Sequence, residues 1–104
     1  MEKRIETSLY AKWEKIRLLL DDMDEWIVDI KDTNPSIYKA YTGKRNTEVL
    51  KNLMQLKKYV PSERIRIRVP HIKNFNEPED VKRSIIFLEI IGYSRIDEFE
   101  YVIV

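Results

Sequence analysis

The run Arg64-Ile65-Arg66-Ile67-Arg68-Val69-Pro70-His71-Ile72 alternates charged and apolar residues with a period of two. A β-strand sends successive side chains to opposite faces, so residues 64–72 are read as a strand. Arg64, Arg66 and Arg68 then share one face, and Ile65, Ile67 and Val69 share the other. In a parallel sheet covered on both sides, both faces would be apolar. Three arginines instead turn one face towards water, a ligand or an anionic partner. Residues 26–31 repeat the arrangement, with Asp29 and Lys31 on one face and Trp26, Val28 and Ile30 on the other. Two such strands, charged inside and apolar outside, fit a barrel with a wet lumen. A plain solvated strand face is the other reading.

Outward from these strands, residues 3–8 form a short first strand and residues 96–104 a last one. Residues 9–22 carry Trp13, Ile16, Leu19 and Leu20 at helical spacing, with charges opposite. Asn34-Pro35 gives an N-cap followed by proline in the first turn, and Gly43 suits the end of that helix. Asn46 caps a further helix with an apolar stripe of Val49, Leu50, Leu53, Met54 and Leu56, broken at Pro61-Ser62. Asn76-Glu77-Pro78-Glu79-Asp80 sets acids against a helix dipole. Val81, Ile85 and Leu88 carry that helix's apolar face, Ile86 and Ile91 widen it, and Gly92 stops it.

The order β-α-β-α-β-α-β implies parallel pairing through right-handed crossovers. Four such units are half of an eight-unit barrel, and they also suit a small open α/β sheet. The charged strand faces favour the first: an α/β fold, a half β/α barrel of about four parallel strands with helices on its outer face.

At 104 residues the chain is one domain. A composition 43% apolar and 36% charged fits a folded, cytoplasmic-type protein rather than a disordered one. The formal net charge of +1 gives no footprint for nucleic acid or an anionic membrane. No apolar run approaches the roughly 18–20 residues that span a bilayer, and no signal-peptide core follows the start. Without cysteine there is no disulfide, thiolate nucleophile or cysteine-held cluster, and the single His71 excludes a histidine-rich metal site. No phosphate-binding glycine loop occurs. Asp21/Asp22 and Glu79/Asp80 read as helix-end acids, and Tyr38, Tyr41 and Tyr59 as packing residues.

Five landmarks follow in order. They are Glu6-Thr7-Ser8-Leu9-Tyr10; Asp29-Ile30-Lys31; Tyr41-Thr42-Gly43 with Asn46 and Leu50; Ile67-Arg68-Val69-Pro70 with Asn76; and Gly92 with residues 96–101. This succession resembles the carboxy-terminal half of the pyruvate formate-lyase activating enzymes and related radical-SAM activases of glycyl-radical enzymes. The family pattern is an acidic-Thr strand, a D-hydrophobic-K strand, a Y-T-G…N helix approach, an I-R-hydrophobic-P strand and a strand ending L-P-Y-H. Each landmark is common by itself; the five in order cover nearly the whole chain.

The resemblance implies a partial barrel that binds a [4Fe–4S] cluster and S-adenosylmethionine. In that family the reduced cluster cleaves the cofactor to methionine and a 5′-deoxyadenosyl radical, which takes a hydrogen from a glycine of the partner enzyme. The family's C-x-x-x-C-x-x-C loop and G-G-E stretch belong to an amino-terminal half not found here. Residues 1–104 are therefore expected to be an incomplete activase, inactive alone. The expected partners are the missing amino-terminal half or a second copy at the exposed sheet edges, and a glycyl-radical enzyme. A non-catalytic α/β interaction module or homodimer derived from the fold is the alternative.

Residue by residue, the resemblance makes Asp29, Lys31, Arg68, Glu6 and Thr7 the cofactor-binding candidates, with no catalytic or metal-binding residue. Asp29 would hydrogen-bond the cofactor or help hold a monovalent cation. Lys31 would meet the methionine carboxylate as a point charge, and Arg68 would offer its planar fork. Glu6 and Thr7 match the acidic-Thr pair whose oxygens face the site. A strand-end cap and a solvated lysine are the ordinary readings of Asp29 and Lys31. The departures are Ser8-Leu9 for a small residue plus glycine, His71-Ile72-Lys73-Asn74 for a segment holding a glycine, and Phe99-Glu100-Tyr101-Val102 for L-P-Y-H. Losing the first glycine is expected to remove backbone freedom. His71 is expected opposite Arg68, under a helix and bonded to backbone.

Overall fold

The computed structural model describes residues 2–101. Along the chain run β1 (Arg4–Thr7), α1 (Trp13–Arg17), β2 (Glu25–Asp29), α2 (Pro35–Thr42) and α3 (Thr47–Leu56). A 3-10 turn over Ser62–Arg64 then leads into β3 (Ile65–His71), α4 (Pro78–Ile90) and β4 (Ile96–Glu100). The four strands form one sheet in the order β1-β2-β3-β4, and every neighbouring pair is parallel. A doubly wound sheet reverses its strand order at a switch point. This sheet advances one strand at a time, so right-handed crossovers keep the helices on one side. It is a partial β/α barrel.

The register separates the two faces. Trp26 pairs with Ile65 and Val28 with Ile67, on the helix side. Ile27 pairs with Arg66 and Asp29 with Arg68, on the open side. Arg68 and Pro70 pair in turn with Asp97 and Phe99, which carries the open face across β4. On the helix side Trp26, Val28, Ile30, Ile65, Ile67 and Val69 join Val49, Leu53, Leu56, Val81 and Leu88 in one buried core. Tyr93 joins it too, donating its hydroxyl to the Leu53 carbonyl. Burial pushes that phenol far above its ordinary range.

Local signals explain most of the helix ends. The Asn34 side chain accepts hydrogen bonds from the backbone N–H groups of Ser36 at 2.9 Å and Ile37 at 3.2 Å, and Gly43 closes α2 at φ 76°. α4 starts one residue later than the Asn76 signature suggests. Glu77 is its N-cap, and Asp80 accepts the Glu77 N–H at 2.8 Å. Asn46 precedes α3, but its amide donates to the Thr33 carbonyl at 3.0 Å instead of capping the helix.

Three expectations need correcting. The helix expected over residues 9–22 shrinks to the five residues of α1: Leu9 takes a left-handed backbone at φ 57°, which keeps it out of the helix, and residues 18–22 form turns after Arg17. Arg64 lies in the 3-10 turn and not on the strand, its N–H bonded to the Pro61 carbonyl at 2.9 Å. The last strand ends at Glu100, and residues 102–104 lie outside the described residues. Among the described residues, no helix is long and apolar enough to cross a membrane.

Candidate functional site

The open face carries four of the five site candidates, and three of them, Asp29, Lys31 and Arg68, lie towards the carboxy ends of β2 and β3. Arg68 lies 3.9 Å from Asp29 Oδ1, an attraction too long to be a hydrogen bond. That oxygen is buried and has no hydrogen-bond partner. Lys31, just past β2, donates to the hydroxyl of Tyr101, just past β4. Arg66, next to Arg68 on the same face, is instead tied to Asp97 at 3.0 Å. Arg95 and Arg4 converge on Glu25 at 3.4 Å and 3.6 Å. Such half-exposed pairs add little stability, but they neutralise the rest of the face. Among the described residues, Lys31 and the outlying Glu6 have no ion-pair partner on this face, and Arg68 and Asp29 are only loosely paired. A buried acceptor without a partner beside two cations suits a ligand carrying both a carboxylate and a hydrogen-bond donor.

Glu6 shares this face one strand outward, where it is exposed. Thr7 does not. It pairs with Val28 and so points to the helix side, where its Oγ1 accepts the Leu9 N–H at 3.0 Å. Adjacent strand residues face opposite ways, so the acidic-Thr pair cannot send both side chains to one site. Thr7 instead shapes the loop after β1. His71 does face away from Arg68, but its Nε2 meets the Glu98 carboxylate at 2.8 Å rather than a backbone group.

The two glycine losses have an unexpected outcome. Among the described residues, the non-glycine residues with positive φ are Leu9 at 57° and Asn74 at 73°. By the resemblance, Leu9 stands where the family has its first glycine, and Asn74 lies in the segment that lacks the second. This chain makes both left-handed turns without glycine. Asparagine tolerates such a φ well; leucine does not. Leu9 is held by its full burial and by Asn52 of α3, whose amide donates to the carbonyls of Leu9 at 2.9 Å and Ala11 at 2.7 Å.

Asp32 was not among the candidates, yet it organises the loops at the carboxy ends of β2 and β3. Only 2% exposed, it accepts hydrogen bonds from the Asn34 N–H at 2.9 Å, Ser84 Oγ at 3.3 Å and Asn76 Nδ2 at 3.3 Å. Asn76 also receives the Ile72 N–H at 2.8 Å and donates to the Pro70 carbonyl at 3.0 Å. Burial raises the Asp32 pKa from 3.8 despite these bonds, which favour the charged form. The folded state thus keeps this proton longer than the unfolded state does. The group's contribution is full below the ordinary carboxylate range and is lost as pH rises through the raised native value. Asp32→Asn should therefore gain stability relative to the parent as pH rises from about 4. Urea unfolding at a series of pH values checks this, and a difference constant with pH would refute it.

Comparison with known proteins bears on this geometry. No family model matches the chain. It is 31% identical over 109 aligned residues to the (2S)-3-sulfopropanediol dehydratase activating enzyme of Klebsiella oxytoca, covering 93% of this chain and 34% of that protein. The chain is a relative of the glycyl-radical-enzyme activating enzymes. The 4-hydroxyphenylacetate decarboxylase activating enzyme of Clostridium scatologenes is 28% identical, over 97% of this chain and 35% of its own length. The chain thus spans about a third of the length of the curated activases it matches. In fold it is similar to the crystal structure of a domain of pyruvate-formate lyase-activating enzyme from Bacteroides vulgatus, with a TM-score of 0.71 and 20% identity. That likeness covers 96% of this chain and 60% of the domain.

Proposed function

We propose that this chain is the carboxy-terminal part of an activase-type barrel and receives the methionine end of S-adenosylmethionine on its open face. The observation that carries the reading is the buried, unpartnered Asp29 oxygen 3.9 Å from Arg68, with Lys31 two residues on along the same face. The methionine end offers a carboxylate to the two cations and an ammonium to the aspartate, so the residues present fit it. In the family resemblance, S-adenosylmethionine is the source of the radical chemistry used on a glycyl-radical enzyme, the partner class proposed here. The iron–sulfur cluster of that chemistry does not fit the chain, which has no cysteine to hold it. Lys31 and Arg68 would orient the carboxylate, and Asp29 would take a proton-bearing group of the ligand.

Among the described residues, β1 and β4 each pair on one side only, leaving two free sheet edges. Further polypeptide carrying the remaining barrel strands and the cluster would cover them, with a second copy of the chain as the alternative.

Titration of the 104-residue chain with S-adenosylmethionine by calorimetry tests the reading. Binding is expected in the parent, weakened roughly tenfold or more by Lys31→Ala or Arg68→Ala, since each removes a charge-assisted hydrogen bond. Arg68→Lys should recover only part of the loss, because the planar fork is gone. No heat at millimolar ligand would overturn the proposal.

A further inference from the structure

β4 turns Asp97, Phe99 and, just beyond its end, Tyr101 to the open face. The Arg68 guanidinium carbon lies 4.3 Å from the centre of the Phe99 ring. Lys31 Nζ lies 4.7 Å from the centre of the Tyr101 ring, whose hydroxyl also accepts its hydrogen bond. The two rings meet edge to face at 5.1 Å. Tyr41 of α2 backs Tyr101 at 6.5 Å and is itself met by Phe75 at 5.0 Å. The rings therefore form a supported shelf beneath two cations that come from different strands.

The way these cations are held differs from the rest of the face. Arg66 meets its acid directly at 3.0 Å, so its charge is already answered. Arg68 has its acid at 3.9 Å, and Lys31 has no carboxylate partner among the described residues. A ring face attracts a cation through its quadrupole without cancelling the charge. It fixes a long, rotamer-rich side chain before any ligand arrives and lowers the ordering cost of binding. A carboxylate partner would fix the side chain too, but would compete with an incoming anion.

We propose that Phe99 and Tyr101 are positioning residues that hold Arg68 and Lys31 as a preformed pair of cations for the carboxylate of the ligand. The identity of that ligand rests on the reading given above; the hold of the rings on the cations does not. The order of the elements makes the device depend on β4: Lys31 follows β2, Arg68 lies on β3, and both are steadied from the last strand and the residue just after it. Acting through other side chains, these rings need not touch the ligand.

The test uses the full chain and four variants, Phe99→Leu, Phe99→Trp, Tyr101→Leu and Tyr101→Phe. Ring currents should shift the Arg68 δ-methylene and Lys31 ε-methylene proton signals of the parent upfield. Phe99→Leu should return the Arg68 signals towards unshifted values and Tyr101→Leu the Lys31 signals, while Phe99→Trp and Tyr101→Phe keep them displaced. In titrations with S-adenosylmethionine, each leucine variant should bind about fivefold more weakly; Phe99→Trp should recover most of the loss, and Tyr101→Phe, which keeps the ring but loses the hydroxyl that accepts from Lys31, should recover part of it. Those two variants also serve if a leucine variant fails to fold, since rescue of signal and affinity together follows the ring and not the volume. Unshifted Arg68 and Lys31 signals in the parent would overturn the proposal, as would lost shifts with unchanged affinity. A parent that shows the shifted signals but gives no heat with S-adenosylmethionine would remove the cofactor reading and leave the ring-held cations demonstrated.

Discussion

Replacing Asn52 with alanine is expected to cost the fold about 3 kcal/mol, from lost hydrogen bonds and lost packing together. Asn52 is 2% exposed on α3, and its amide supplies both of its protons to the loop after β1. Alanine would strip both carbonyls of that donor. The Leu9 carbonyl keeps the Ala11 N–H at 3.0 Å, which limits the loss there. Asn52→Asp should be worse still, since a carboxylate sets acceptor against acceptor and is buried as it does so. Urea unfolding midpoints read the effect, and a loss under about 1 kcal/mol would mean that water replaces the amide easily.

The second large effect lies at the other end of that hydrogen bond. Leu9 is fully buried, so Leu9→Ala should cost about 3 kcal/mol through lost transfer energy and the cavity left behind. The informative comparison is with Leu9→Gly. In ordinary backbone glycine is less stable than alanine by roughly 0.5–1 kcal/mol. At φ 57° alanine keeps the left-handed strain and glycine releases about 1–2 kcal/mol of it. Leu9→Gly should therefore be at least as stable as Leu9→Ala, the reverse of the usual order. The usual order would mean that the turn relaxes out of the left-handed region once the leucine is cut back. Leu9 and Asn52 are in contact, so the double variant should lose less than the sum of the two single losses.

The parts of the fold that were legible rest on local periodicity. Residues 65–69 alternate because a strand at the boundary between core and lumen has no other way to satisfy both sides. The same rule, applied to neighbours, would have separated Glu6 from Thr7 without any structure. The late start of α1 was not legible, since the left-handed Leu9 before it is bonded to an amide on α3, 43 residues away. Asp32 was missed for a similar reason. Asp32-Thr33-Asn34-Pro35 reads as a turn, and only the meeting with Asn76 and Ser84, 44 and 52 residues on, makes the carboxylate a buried hub. The alternation of Phe99 and Tyr101 was visible, but their pairing with Arg68 and Lys31 required the β3–β4 register.

The sequential strand order has a consequence for how such a sheet can grow and be divided. Among the described residues every strand has only the preceding and following strands beside it, so each hydrogen-bonded ladder spans a single crossover and none skips a strand. The architecture behaves like a row of repeating units, each carrying its own inner and outer surface, to which units can be added at either margin without rewiring those already there. Loop-closure demands also remain those of one unit at a time, which favours folding by stepwise extension.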